Sequence, residues 1–305
     1  MENAVFESKL IEILGQSQVL KNEPMRRHTS FRVGGEADYY VMPKTEEAIA
    51  DTLALCREAG VKTYIVGNCT NLLISDKGLP GLVIEIGKAM SSIKIEDTVI
   101  TAQAGALLAN MTTEALGASL SGLEFASGIP GTLGGAIFMN AGAYGGEMKD
   151  VVVEARVLME DGTIKTMTNE ELGFGYRTSS IEKNGGVVLS AKLRLIKSDA
   201  KMIMGLMTEL RKQRRNKQPL DMPSAGSAFK RPEGYFAAKL IDDAGLRGHI
   251  YEGAQVSEKH AGFIINMGFA KASDIYHLIY EVQDLVRKDS GVTLEPEIRM
   301  IGEFE

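Results

Sequence analysis

Apolar residues recur at helical spacing from the start of the chain. Val5, Leu10, Ile11, Ile13 and Leu14 share one face over residues 4–17, and Asn22 to Pro24 ends that segment. Residues 37–42 read as a strand closed by Pro43. Thr45 then stands as an N-cap, with Glu46 and Glu47 in a first turn whose dipole favours negative charge. Gly60 is placed to end that helix in a left-handed conformation, and residues 63–66 form a short buried strand. Residues 37–66 therefore predict a βαβ-like unit with a phosphate-handling loop just beyond it. Strands follow at 82–86 and 98–104, and a helix at 107–120. Residues 151–167 predict a hairpin with a two-residue turn at Asp161-Gly162, Thr168 to Glu171 matches a capping box opening a short helix, and 187–196 alternates as a strand. The composition shifts at Asp199, where a helix over 199–217 runs from methionine-rich to basic before Pro219 and Pro223 stop it. A helix at 235–244, a strand at 261–267 and a helix at 274–290, capped by Ser273 and closed by Gly291, complete the pattern. The class is α+β, with a domain boundary near 198–202.

Composition narrows the function classes. The chain of 305 residues has 34 basic and 40 acidic side chains, a net charge of −6 that argues against nucleic acid as a partner. Cys56 and Cys69 are the two cysteines, with no Cys-x-x-Cys pair, so neither a disulfide framework nor a zinc site is expected. No run of about 18 apolar residues exists and the first 20 residues lack a signal-peptide pattern. A cytoplasmic protein without membrane insertion is expected.

Five stretches carry candidate chemistry. Val66, Gly67, Asn68, Cys69, Thr70, Asn71, Leu72 and Leu73 follow a strand; the turn is either a backbone cradle for a diphosphate or an Asn-rich β-turn. Glycines crowd the second stretch, Ser127-Gly128-Ile129-Pro130-Gly131-Thr132-Leu133-Gly134-Gly135 followed by Asn140, Gly142 and Tyr144. A flexible linker is the plain reading, but the apolar residues between the glycines favour backbone approach to a large ligand. Neither stretch is a Gly-x-Gly-x-x-Gly fingerprint or a P-loop. In the third, Arg211 to Lys217, five cations sit in seven residues, either as a solvated helix end or as an anion site. The fourth, Pro223 to Lys230, places Ser227 beside Gly226 in what reads as a tight turn, with no Gly-x-Ser-x-Gly elbow. In the fifth, Glu295, Glu297 and Arg299 alternate with apolar residues as on a solvated sheet face. Phe174-Gly175-Tyr176-Arg177 adds an arginine of either surface or anion-binding kind.

In this order the motifs resemble one family, the UDP-N-acetylenolpyruvoylglucosamine reductases. The resemblance rests on residues 28–35 (His-Thr-Ser-Phe-Arg-Val-Gly-Gly), the 67–73 loop, Gly122-Leu123-Glu124 through Tyr144, Tyr176-Arg177, 224–229 and 295–302, and it spans residues 26–303. The chain resembles the shorter subtype, without the extra tyrosine-bearing loop. Cys69 departs from the usual glycine, and is strained if its position requires a positive φ.

The resemblance implies two FAD-binding subdomains of the vanillyl-alcohol-oxidase type and a substrate domain. On that plan residues 1–85 form the first subdomain, with strand 294–305 returning to it, 86–198 the second, and 199–293 the substrate domain. FAD is held without a covalent bond by residues 66–73, Gly122, Ala126, Ser127, Gly128, Ile129, Pro130, Gly131, Thr132, Gly134, Gly135, Asn140 and Gly142. NADPH reduces the flavin, whose N5 then passes a hydride to UDP-N-acetylglucosamine enolpyruvate, giving UDP-N-acetylmuramate for peptidoglycan. Arg177 and Glu297 stabilise the intermediate, Glu297 with a raised pKa, and Ser227 donates the proton. Tyr144, Arg214 and Lys217 contact the substrate together with Arg177 and Ser227. A monomer is expected. The alternatives are an oxidase on the same scaffold and a non-catalytic sugar-nucleotide binder.

Overall fold

The computed structural model describes residues 3–304 and divides the chain into two compact units. The first holds the residues up to 21, 39–68 and 81–213; the second holds 22–38, 69–80 and 214–305. The last crossing, after Gln213, falls inside helix Ala200–Lys217, beyond the composition change at Asp199.

Helix Asn3–Leu14 and helix Glu46–Ala59 cover a four-stranded sheet of order Val19–Pro24, Glu36–Val41, Leu79–Glu85, Thr63–Val66, most of whose residues fall in the first unit. Phe6, Leu10, Val41, Leu55, Leu82 and Ile84 form the core between them. The cap signals operate as read: Thr45 Oγ1 accepts from Ala48 N at 3.1 Å, and Gly60 closes the helix at φ 67°. Strand Val19–Pro24 was absent from the periodicity, because only Val19 of it is buried and its remaining residues are polar or half-exposed. Burial pushes the Cys56 thiol up to about 11, as expected of an unreactive core cysteine.

The second sheet of this unit is antiparallel, in the order Ile164–Thr168, Val152–Leu158, Val187–Arg194, Val99–Gln103, Ile93–Glu96. Its middle strand, Val187–Arg194, is buried over its first five residues, which explains the apolar run there. The hairpin at Asp161-Gly162 is longer than the two-residue turn expected. Met159 N donates to Thr163 O at 2.8 Å, Gly162 adopts φ 87°, and Asp161 Oδ1 accepts from Thr163 N, so the loop holds three residues. Thr168 and Glu171 form both reciprocal bonds of a capping box, yet the residues that follow make a turn and no helix. Gly173, at φ 51°, ends it within one turn.

In the second unit, helix Ala272–Ser290 buries Ala272, Ile275, Leu278, Ile279, Val282 and Val286, a three-and-four spacing. It packs with helix Ala237–Asp243 and a three-stranded sheet, Ile250–Tyr251, Ala254–Val256 and Ile264–Asn266. Strand Arg299–Ile301 pairs in parallel with Leu72–Ile74, Arg299 opposite Leu72 and Ile301 opposite Ile74. Phe304 then stacks on Tyr276 at 4.8 Å between centroids.

The start of the long helix corrects the expected cap at Ser273, which lies inside the first turn. Asp274 Oδ2 accepts from Lys271 N, while Asp76 receives Ala272 N on one oxygen and Ser273 N on the other, each at 2.8 Å. A carboxylate from 196 positions earlier in the chain thus satisfies two of the helix's free amides.

No helix among the described residues is long and apolar enough to cross a membrane, and no cluster of His, Cys, Asp or Glu among them could hold a metal ion. Asp76→Ala is expected to lower the unfolding free energy by about 1–2 kcal/mol, the worth of a charged cap. The urea midpoint reads this, and a shift below about 0.3 kcal/mol would show that water replaces the carboxylate at no cost.

Candidate active site

In the first unit, the glycine-rich stretch runs from the short turn Glu124–Ala126 into helix Leu133–Phe138. Four backbone and side-chain bonds fix it. Leu108 N donates to Gly131 O at 3.0 Å, Leu133 N to Ala106 O at 2.8 Å, Gly134 N to Ala104 O at 2.8 Å, and Asn68 Nδ2 to Pro130 O at 2.6 Å. The last bond joins the two candidate loops. Gly67 lies so close to Thr132 that a Cβ there would stand 2.3 Å from its hydroxyl oxygen. The stretch is therefore no flexible linker. Ala126, Ser127 and Thr132 are buried, Gly128 and Ile129 half-buried, and Gly135 exposed.

The structure revises the reason for several glycines. A Cβ on Gly134 would meet that of Ala104 at 3.0 Å; one on Gly142 would meet Glu147 and the carbonyl of Gly146 at 2.8 Å; one on Gly122 would meet Leu195 at 3.2 Å. Protein packing accounts for Gly134 and Gly142, and a left-handed φ of 126° for Gly122. Gly135, whose nearest neighbour would be the Thr132 hydroxyl at 3.6 Å, keeps the freedom to face a ligand.

Asn140 is fully buried at φ 43°. Its amide nitrogen donates to Glu147 Oε2 at 2.7 Å and Gly175 O at 2.9 Å, and its amide oxygen accepts from Lys149 N at 3.0 Å. That commits the side chain to the protein, where it ties the 142–147 hairpin to the turn at Gly175–Thr178. Arg177 sits in that turn at φ 57°, and its Nη2 donates to Gly142 O at 3.0 Å. Its guanidinium also lies over the Tyr176 ring, 5.1 Å from the centroid. Tyr144 projects from the hairpin tip at φ 54°, 45% exposed. Asn140, Gly142, Tyr144 and Arg177 thus form one group.

In the second unit, residues 228–230 pair antiparallel with 295–297. Glu297 N donates to Ala228 O and Lys230 N to Glu295 O, each at 2.8 Å, with Phe229 opposite Pro296. Ser227 and Glu297 are thereby carried on neighbouring segments. Ser227 is bridged on its other side to Phe263, and Ala228 N donates to Gly262 O at 2.8 Å. The Lys230 amine is paired with Glu295. Asn71 Nδ2 donates to Glu297 O at 3.1 Å, and Ser30 N donates to Cys69 O at 3.3 Å. Cys69, buried, adopts φ 46°, the strained conformation that a cysteine there was expected to suffer. Arg214 and Lys217 lie in the last turn of helix Ala200–Lys217, Arg214 half-buried and Lys217 exposed, where cations suit the dipole.

Of the nine non-glycine residues at positive φ among those described, Cys69, Asn140, Tyr144 and Arg177 are four, all named as site candidates from the sequence. Such backbone persists where surrounding contacts enforce it, and it clusters at functional sites. His260 Nδ1 accepts from Gly262 N at 3.1 Å, and burial holds the imidazole below its ordinary protonation range. Four scattered histidines offered no spacing by which to single it out.

A flavin dinucleotide fits these loops on one independent observation. Ser127 Oγ is buried and has no hydrogen-bond partner among the described residues. A buried hydroxyl left unpaired costs about 1–3 kcal/mol, and a polar ligand lying along the loop would remove that cost.

Comparison with known proteins gives the same direction. Residues 37–168 match the model of the FAD binding domain family, and residues 218–301 match that of the UDP-N-acetylenolpyruvoylglucosamine reductase C-terminal domain. A UDP-N-acetylenolpyruvoylglucosamine reductase of Agathobacter rectalis is 51% identical over 99% of this chain and 100% of its own length. One of Clostridioides difficile is 50% identical over 99% and 100%. The crystal structure of UDP-N-acetylenolpyruvylglucosamine reductase from Thermus caldophilus superposes with a TM-score of 0.80 at 34% identity, covering 93% of this chain and 98% of that one. This chain belongs to the UDP-N-acetylenolpyruvoylglucosamine reductase family and is an FAD-dependent oxidoreductase.

Proposed function

We propose that the protein reduces UDP-N-acetylglucosamine enolpyruvate to UDP-N-acetylmuramate, a step in making peptidoglycan precursors, with NADPH as electron donor. FAD, when bound, supplies the relay of hydride from NADPH to the terminal vinyl carbon. The side chains are left with the charge and the proton. Once hydride reaches the vinyl carbon, negative charge develops on the adjacent carbon and its carboxylate, and preorganised donors are what stabilise it. Arg177 takes the carboxylate, to which a guanidinium can present two parallel N–H groups. Its left-handed backbone and its bond to Gly142 restrict it to one orientation. Glu297, as a protonated carboxyl, donates to the developing charge, and Ser227 delivers the proton to the carbon beside the carboxylate.

The observation that best supports this reading is the pairing of 228–230 with 295–297, which sets Glu297 opposite Ala228, the residue next to Ser227. Arg214 and Lys217 are assigned to the substrate diphosphate and Tyr144 to the substrate's covering. The 66–73 and 126–135 loops are assigned to the cofactor, residues 1–85 and 86–198 to its two subdomains, and 199–293 to the substrate.

The pure protein is expected to be yellow, to release its flavin on denaturation, to bleach with NADPH and to recolour with the enolpyruvyl sugar nucleotide. A colourless protein that takes up no FAD, or one that recolours only with oxygen, overturns the proposal. Ser227→Ala is expected to leave bleaching by NADPH unchanged and to slow recolouring by about 10²–10⁴-fold; equal slowing of both halves would remove Ser227 from the proton step. Arg177→Ala should cost about 3–4 kcal/mol in the recolouring half alone. Stopped-flow absorbance measures this, and a loss below about tenfold counts against the carboxylate contact.

A further inference from the structure

Asn71 makes two bonds to one short stretch of the C-terminal segment. Its amide nitrogen donates to the carbonyl of Glu297 at 3.1 Å, and its own carbonyl accepts from Arg299 N at 3.0 Å. Since a carbonyl oxygen can only accept, the NH₂ group must be the half of the amide that faces Glu297. The position lies just before the parallel ladder, whose first register pair is Arg299 opposite Leu72. At that point the strand pairing has not begun, and a side chain stands in for the backbone as donor. On the other flank, Glu297 N donates to Ala228 O at 2.8 Å. The preceding residue, Pro296, has no N–H to contribute. Glu297 is thus held through the 296–297 peptide by Ala228, next to Ser227, and through the 297–298 peptide by Asn71, which lies in the loop assigned to the cofactor.

We propose that Asn71 is a positioning residue for Glu297, fixing the plane of the 297–298 peptide and with it the direction in which the Glu297 carboxyl projects. The proposal rests on the reading in which Glu297 stabilises the developing charge. It gives the Asn71 side chain a purpose other than touching FAD. Without the amide, the Glu297 carbonyl loses that donor, and the 297–298 peptide plane is set less closely between the backbone bonds at Ala228 and Arg299, so the direction of the carboxyl shifts with it. A displacement of about 1 Å at a catalytic group is enough to cost on the order of 10²-fold in rate.

The test uses full-length holoenzyme at pH 8, where Asn71→Asp keeps the side-chain volume but replaces the donor with an acceptor. Recolouring of the reduced flavin by the enolpyruvyl sugar nucleotide is expected to slow by about 10- to 100-fold. Flavin content, bleaching by NADPH and the substrate concentration for half-maximal rate should each stay within about twofold. The same change made on top of Glu297→Gln is expected to cost less than about threefold, because two residues acting through one contact are not additive. Additive losses in the double variant would show a merely structural role and overturn the proposal. Recovery of the full rate by excess FAD would overturn it too, since Asn71 would then be a cofactor ligand. If Glu297→Gln alone stays within about tenfold of the parent, the underlying role of Glu297 fails; if it is slow while Asn71→Asp is not, only the positioning role fails. Should Asn71→Asp not fold, Asn71→Ala is read against the same criteria.

Discussion

Glu297 is held at its N–H by the Ala228 carbonyl and at its own carbonyl by the Asn71 side chain, and the placement of the C-terminal strip depends on that grip. Asn71 and Glu297 are separated by 226 residues, as Ser75 and Glu303 are by 228. Bonds of such long range form only after a large loss of chain entropy, and they depend on everything between them being in place. The parallel pair 72–74 with 299–301, the bonds from Ser75 to Ile301 and Glu303, and the stacking of Phe304 on Tyr276 all act to hold the same strip. A carboxyl placed at one end of that strip is set by packing and not by the turn preferences of its own neighbourhood.

Backbone strain marks the other half of the candidate chemistry. A non-glycine residue in the left-handed region costs about 1–2 kcal/mol, and Asn140, Tyr144 and Arg177 stand there within one linked group. Asparagine bears that conformation best, and Asn140 is the member whose side chain braces the others, through Glu147, Gly175 and Lys149. The strain on Arg177 is thus sustained by a neighbour better suited to it. Preorganisation of this sort gives up stability to remove freedom from a side chain that, on the proposed function, meets a carboxylate in one orientation.

Several local signals in the sequence hold in the fold, although the Asp161-Gly162 turn, the helix after Thr168 and the Ser273 cap do not. Thr45 and Gly60 bracket their helix, Gly291 ends another at φ 75°, and the strands at 63–66 and 187–194 follow their apolar runs. Signals that depend on distant partners were invisible. Nothing near Lys271 announces that Asp76 will cap the helix there, and nothing near Glu297 announces Asn71. The crowding of glycines was a true mark of a special loop, although the reason differs by position. Gly134 and Gly142 yield to other protein atoms, and Gly135 does not. Composition alone cannot separate a glycine that admits a ligand from one that admits a neighbouring chain segment, because both need the same missing Cβ. Asn140 illustrates the same limit for a polar residue, since a side chain committed to three protein partners looks in sequence like one waiting for a cofactor.

The charge distribution gives these loops a further logic. Neither 66–73 nor 126–135 contains a lysine or arginine, although both are assigned to a dinucleotide with two phosphates. On that assignment the anion is met there by fixed amide dipoles and short hydroxyls, groups whose orientation is set before the ligand arrives and whose field needs no mobile counter-ion. The cations lie elsewhere, concentrated in the last turn of helix Ala200–Lys217 in a chain of net charge −6. A cofactor that stays bound is best served by rigid dipoles in a close-fitting loop, whereas a substrate that must arrive and leave is served by charges that act at a distance. On the proposed assignment, the two kinds of anion recognition follow from how long each ligand remains.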